Sequence, residues 1–211
     1  MRIEEHTVRF AGEAGDIETI VEDPGTPRGI ALVCHPHPLF GGANTNKVTQ
    51  TLARTFTRLG YVALRPNFRG VGGSAGTHAD GRGEAEDMLA VLDAARQTYG
   101  DLPVVLAGFS FGAYVQTRVA QALAAAGQPA QRLVLVGTAA GFVEGARQYD
   151  VQAVAADTLV IHGAVDTTVP LANVLAWAEP LDLPVVVVPG ADHFFHRRLH
   201  VIRDIITRAW R

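Results

Sequence analysis

A chain of 211 residues, 48% hydrophobic and 18% charged, can fill one sizeable core, so a single domain over 1–211 is expected. A formal net charge of −3, with Lys47 the sole lysine, leaves no basic footprint for a nucleic-acid partner. One cysteine, Cys34, excludes an internal disulfide framework, "MRIEEHTVRF" lacks the apolar core of a secretory leader, and no apolar run approaches membrane-spanning length, so a cytoplasmic protein without a membrane partner is expected.

"RIEEHTVRF" and "IETIVEDP" read as two strands joined across "AGEAGD", an opening hairpin. "GIALVCH" (29–35), "YVALRPNF" (61–68), "PVVLAGF" (103–109), "RLVLVGT" (132–138), "TLVIHG" (158–163) and "PVVVVPG" (184–190) follow. Each run is rich in β-branched residues and nearly all apolar, as strands buried on both faces of a parallel sheet require. Between them the spacing predicts helices over 45–59, 84–99, 112–126, 170–178 and 195–210. In the last, Leu199, Ile202, Ile206 and Ala209 recur at three- and four-residue spacing and form one face. Strand alternating with helix implies a doubly wound α/β sheet. No internal repeat or low-complexity linker interrupts it.

The chain holds two serines, and both sit in Gly-x-Ser-x-Gly: Ser110 in "GFSFG" and Ser74 in "GGSAG". Ser110 is preceded by a buried-strand run and followed by "FGAYVQTRVAQALAAAG", an Ala-rich helix ending at Gly127. Strand, sharp turn and helix expose a serine hydroxyl above the sheet, in a turn so crowded that glycines are wanted on both sides. The same turn puts the Phe111 N–H at a helix N-terminus, facing any negative charge that develops beside the hydroxyl. Around Ser74, "RGVGGSAGTHADGRG" holds six glycines, which forbid an immediate helix and imply a flexible polar loop. Ser110 is therefore the nucleophile candidate. "GVGGSA" (70–75) neither opens a helix nor follows the first strand of a βαβ unit, so no dinucleotide site is expected there.

A serine nucleophile needs a base, and the base an orienting acid. Asp166 lies three residues beyond Gly163 in "LVIHGAVDTTVP", and His193 three beyond Gly190 in "VVVVPGADHFFH". Both fall just past a predicted strand. Asp166 also fits a helix cap, with Asp157 and Asp182 as weaker rivals for the acid. His196 and His200 rival His193 but fall inside the predicted last helix and read as surface residues; Asp192 reads as loop structure or a cap. Cys34, His35 and His37 lie close in sequence, yet Cys34 ends a buried strand and no glutamate accompanies His196 and His200, so no metal is expected. Phe109, Phe111, Phe194 and Phe195 flank the candidates, at least half of them as core.

"GFSFG", "HGAVDTTVP" and "GADHFF", together with "CHPHPLFGG" and "NFRGVGGSAG", resemble the loops of the α/β-hydrolase superfamily. The likeness covers nearly the whole chain and is nearest to small lidless bacterial hydrolases of the dienelactone-hydrolase and prolyl-oligopeptidase-like type. The resemblance implies an eight-stranded, mostly parallel sheet with helices on both faces, no cap domain, and a triad of Ser110, Asp166 and His193. It also implies an oxyanion hole from the N–H after the nucleophile, Phe111, and a second N–H after the third strand. Pro36 and Pro38 have no N–H, which leaves His37, Leu39, Phe40 and the glycines; the position resembling the family's donor is His37.

The expected activity is hydrolysis of a small carboxylic ester or thioester through an acyl-enzyme, with no cofactor. A peptidase or amidase could use the same triad, and a noncatalytic binding protein could use the same fold. Oligomeric state is not written in the sequence. Only "AAGFVEGARQYDVQAVAAD" (139–157) separates the sixth strand from the acid-bearing one, room for a short helix and a loop. An open site walled by 36–46, 69–83 and 139–150 follows.

Overall fold

The computed structural model describes residues 3–143 and 147–210. β1 (Glu4–Gly12) and β2 (Gly15–Asp23) form the antiparallel hairpin, in register from Glu4 opposite Asp23 to Gly12 opposite Gly15. Then come β3 (Gly29–Cys34), α1 (Lys47–Arg58), β4 (Tyr61–Pro66), α2 (Arg82–Tyr99), β5 (Val104–Phe109) and α3 (Phe111–Ala125). The remainder is β6 (Arg132–Val136), β7 (Gly141–Val143), β8 (Arg147–Tyr149), β9 (Leu159–Gly163), α4 (Leu171–Ala178), β10 (Val185–Val188) and α5 (Leu199–Ala209).

Eight strands make one sheet in the order β1-β2-β4-β3-β5-β6-β9-β10. β2 joins β4 antiparallel, and from β4 to β10 every pairing is parallel. The period of two divides each central strand between two cores. In β5, Val104 and Leu106 join the core under α2, α3 and α4, with Met88, Val119 and Val174. Val105, Ala107 and Phe109 face the opposite way, toward Leu52 and Phe56 of α1 and Ile202 and Ile206 of α5. Both faces are covered, which is why these strands are apolar at successive positions. The chain winds one way from β3 to β4 and the other way to β5, so a crevice opens between the carboxyl ends of β3 and β5, where ligands bind in such sheets.

Local chemistry sets several boundaries. Asn46 caps α1 by accepting from the N–H of Val48 (2.9 Å) and Thr49 (3.3 Å). Glu84 in the first turn of α2 reaches back to the Gly81 N–H at 2.7 Å. Two expectations need correction, and one open stretch is filled. Residues 141–143 and 147–149 form a two-stranded antiparallel sheet, β7 with β8, in the stretch that left room for a short helix and a loop; residues 144–146 lie outside the described residues. Val143 and Tyr149 sink into the core beside α4, and Asn173 of α4 donates to the carbonyls of Ala140 (3.0 Å) and Phe142 (2.6 Å), holding β7 extended. The last helix starts at Leu199 rather than 195, because Phe195 (φ 52°) and Arg197 (φ 61°) adopt left-handed backbone that no right-handed helix accommodates. β10 closes one edge of the sheet, so Val186 and Val187 face solvent despite their all-valine run.

Candidate active site

Ser110 stands between β5 and α3 with φ 56° and ψ −117°, a strained turn in a non-glycine residue. A Cβ at Gly108 would fall on the Gly112 carbonyl, and one at Gly112 on the carbonyls of Cys34 and His35. The two glycines around Ser110 are thus dictated by the approach of β3 and α3. The Ser110 N–H is tied to the Val136 carbonyl (2.9 Å), which anchors the turn to β6.

Three loops at the carboxyl ends of β5, β9 and β10 bring Ser110, Asp166 and His193 together. Ser110 Oγ lies 3.0 Å from His193 Nε2, and His193 Nδ1 lies 2.7 Å from Asp166 Oδ2. An ionised carboxylate only accepts, so Nδ1 carries the proton and Nε2 is left to accept from the serine hydroxyl. Asp166 Oδ1 accepts from the N–H groups of Thr168 (3.0 Å) and Val169 (2.8 Å), so Asp166 shapes its own turn while holding His193. All three residues are buried, and the His193 ring rests between Phe109 and Phe194 at centroid distances of 5.0 and 5.1 Å. Phe109, Phe111 and Phe195 belong to the core, whereas Phe194 is 46% exposed at the cavity mouth.

The N–H of Phe111, first residue of α3, has no acceptor among the described residues, and neither has that of His37. Both flank the crevice between β3 and β5. The loop carrying His37 is clamped from beneath. His35 is fully buried; its Nε2 accepts from the Phe68 N–H (2.9 Å), so its Nδ1–H donates to the Pro36 carbonyl (2.7 Å). Burial lowers the His35 pKa to about 4, which keeps the ring neutral in that role. At the loop's far end the Asn44 N–H donates to Asn67 Oδ1 (2.9 Å), and buried Arg65 donates to the Asn44 carbonyl (2.9 Å). The ring of His37 packs against Phe111 (4.7 Å) and His78 (4.8 Å), with its pKa lowered to about 4 by burial and by the neighbouring His78.

The cavity over Ser110 measures about 360 Å³ and is walled by Pro36, His37, Phe40, Arg147, His193 and Phe194, among others. Beyond the shared wall of His37, Phe40 and Arg147 lies a second cavity of about 540 Å³, reaching His78 and Tyr114. The expected walls at 36–46 and 139–150 border the Ser110 cavity as far as they are described, while 69–83 borders only the second; Thr168 and Phe194 complete the first. Among the described residues no helix is long and apolar enough to cross a membrane, no cap covers the site, and no three His, Cys, Asp or Glu side chains gather to hold a metal.

Other sequence candidates lie elsewhere. Ser74 is a buried pin rather than part of a flexible loop: its hydroxyl donates to the Asn67 carbonyl (2.8 Å) and accepts from the Glu18 N–H (3.0 Å). His196 lies in the turn before α5, not inside the helix, and pairs with Asp192 at 2.6 Å on the surface. The Asp157 carbonyl accepts from Arg132, and Asp182 forms a left-handed cap after α4; neither approaches His193. Sequence reasoning missed His162, which sits behind Asp166. Its signal was faint: one polar residue inside an apolar strand run.

Comparison with known proteins places these features in context. A family model described as the alpha/beta hydrolase fold matches residues 32–183. The solved structure of an alpha-beta serine hydrolase homologue from Coxiella burnetii is 37% identical, with a TM-score of 0.83 over 99% of this chain and 97% of that one. A Xanthomonas campestris protein described as an a/b serine hydrolase without lid is 35% identical, with a TM-score of 0.85 over 99% and 94% of the two chains. An uncharacterized Rickettsia prowazekii protein is 42% identical over 110 residues, 51% of this chain and 46% of that protein, so the match spans under half of that relative.

Proposed function

Since the chain belongs to the alpha/beta hydrolase fold family, we propose that it is a serine hydrolase cleaving small carboxylic esters or thioesters through an acyl-enzyme on Ser110. The observation that carries this reading is the unbroken line from Ser110 Oγ to His193 Nε2 (3.0 Å) and from His193 Nδ1 to Asp166 Oδ2 (2.7 Å).

In the proposed reaction Ser110 Oγ attacks the substrate carbonyl carbon as its proton passes to His193 Nε2. The imidazolium so formed is stabilised by Asp166, which also fixes the tautomer that accepts the proton. The carbonyl oxygen becomes an oxyanion and accepts from the N–H groups of Phe111 and His37, the first reinforced by the amino end of α3. Each such donor contributes about 10²–10³ in turnover. His193 then protonates the departing oxygen or sulfur, the C–O or C–S bond breaks, and the acyl group stays on Ser110. Water attacks the acyl-enzyme with His193 again as base, and the acid leaves as Ser110 recovers its proton. The strained backbone at Ser110 is maintained for aiming the hydroxyl, since a purely structural serine would relax out of it.

An uncapped cavity of about 360 Å³ over the serine favours small acyl groups. The test is hydrolysis of p-nitrophenyl acetate and an acetyl thioester by the wild type and Ser110→Ala. Turnover of either substrate by the wild type alone supports the reading. Equal rates in the variant, or no turnover of either by a folded wild type, overturn it.

A further inference from the structure

We propose that His162 is a positioning residue of this site, sharing its Nε2–H between the Val169 carbonyl and the Asp166 carboxylate and so holding the acid from behind. The proposal rests on the reading of Ser110, His193 and Asp166 as the catalytic line.

His162 lies on β9, fully buried, and its Nε2 is 3.0 Å from the Val169 carbonyl and 3.4 Å from Asp166 Oδ2. Nδ1 has no hydrogen-bond partner. Both acceptors sit beside Nε2, which settles the tautomer: the proton is on Nε2, and Nδ1 is a bare acceptor in the interior. Leaving a buried nitrogen unpaired is costly, and a hydrophobic residue would avoid that penalty. What the histidine supplies instead is a donor aimed at the turn that carries Asp166.

The carboxylate accounts for the rest. Of its roughly four lone-pair sites, those on Oδ1 accept from the N–H groups of Thr168 and Val169 and one on Oδ2 accepts from His193 Nδ1, while His162 Nε2 stands 3.4 Å from Oδ2. Rotation of the carboxylate would break contacts on both oxygens. The bond to the Val169 carbonyl closes the loop over Asp166 and the longer branch to Oδ2 steadies the charge. Burial holds the His162 pKa below its ordinary value, so the ring remains a neutral donor as pH falls. Of the groups facing His193, Asp166 and His162 lie behind the ring, Ser110 lies in front, and His37 and Arg147 stand across the cavity.

The experiment compares His162→Leu, His162→Asn and His162→Gln. Glutamine can set an amide N–H near the position of Nε2; asparagine is too short. Removing the donor leaves Oδ2 to His193 alone, which favours the imidazolium in the resting enzyme, and it frees the carboxylate to turn, which loosens the aim of His193 Nε2 at the Ser110 hydroxyl. For Leu and Asn, kcat/KM for p-nitrophenyl acetate should fall about tenfold through kcat, and the acidic limb should move up by roughly half a pH unit. Gln should restore both. NMR titration of the His193 ring should show the same displacement and needs no turnover, so absent hydrolysis would count against the functional reading and not against this coupling. If the leucine variant does not fold, the Asn–Gln pair carries the comparison. Lowered melting temperatures with an unmoved limb and an unmoved His193 titration, or Gln behaving like Asn, would overturn the proposal.

Discussion

Acidification should destabilise the protein through His35. The ring is fully buried, gives its Nδ1 proton to the Pro36 carbonyl and takes the Phe68 N–H on Nε2. Its native pKa is lowered to about 4 by burial, against 6.5 in the unfolded chain. The unfolded state therefore binds more protons between those values, so stability rises with pH across the window and falls as pH drops from 6.5 toward 4. Moving from pH 7 to pH 5 should cost about 2 kcal/mol from this residue alone. For a chain of this size that corresponds to about 4–8 °C in melting temperature. His37 and His162 are shifted in the same direction, so the wild-type loss should be larger still. His35→Gln isolates the term: its amide oxygen can accept the Phe68 N–H without titrating, at a pH-independent cost of about 1 kcal/mol for the lost Pro36 contact. Melting both proteins at pH 5, 6 and 7 at fixed ionic strength cancels the contributions of the carboxylates. A variant whose melting temperature falls with acid as steeply as the wild type would refute the argument.

Ser74→Ala leaves the Glu18 N–H and the Asn67 carbonyl without their partner, so urea denaturation should show a loss of about 1–3 kcal/mol with unchanged turnover per folded molecule. His193→Ala should lower turnover by about three to six orders of magnitude. His196→Ala should leave turnover within about twofold, because that ring touches none of the three triad residues and meets Asp192 and the Phe194 ring at the surface (His196 and Asp192 side chains 73% and 44% exposed). Steady-state assays of the two variants discriminate, and comparable damage from both would reassign the base. Across p-nitrophenyl esters from acetate to decanoate, specific activity should stay level or decline, since no cap among the described residues adds wall to bury longer chains. A steep rise with length would contradict an open site.

The elbow around Ser110 was legible because strand, glycine-flanked serine and helix follow one another in the sequence. Gly108 is crowded by its own neighbours Gly112 and Ala113, although the crowding at Gly112 comes from the end of β3, far along the chain. The central strands were legible because burial on both faces writes itself as continuous apolar runs. The β10 run looks the same, yet it closes an edge, and which strand ends up outermost is a property of the whole sheet. The β7 and β8 strands were illegible, being too short for a period of two to register and held in part by Asn173, far along the chain. The start of α5 was missed because no glycine marks the left-handed positions of Phe195 and Arg197. Ser74 was misread for a related reason. Its partners, Glu18 and Asn67, come from β2 and the end of β4, so a glycine-rich stretch that looks flexible in isolation is pinned by the sheet beside it.

The two Gly-x-Ser-x-Gly serines invite the most direct measurement: a fluorophosphonate applied to the intact protein, with intact-mass and peptide mapping of the product. One adduct per chain is expected, on Ser110, lost in Ser110→Ala and in protein unfolded before labelling, with Ser74 unmodified because its hydroxyl is buried and already engaged at both ends. An adduct on Ser74, or a folded protein that takes up no label at Ser110, would contradict the assignment of Ser110 as the nucleophile.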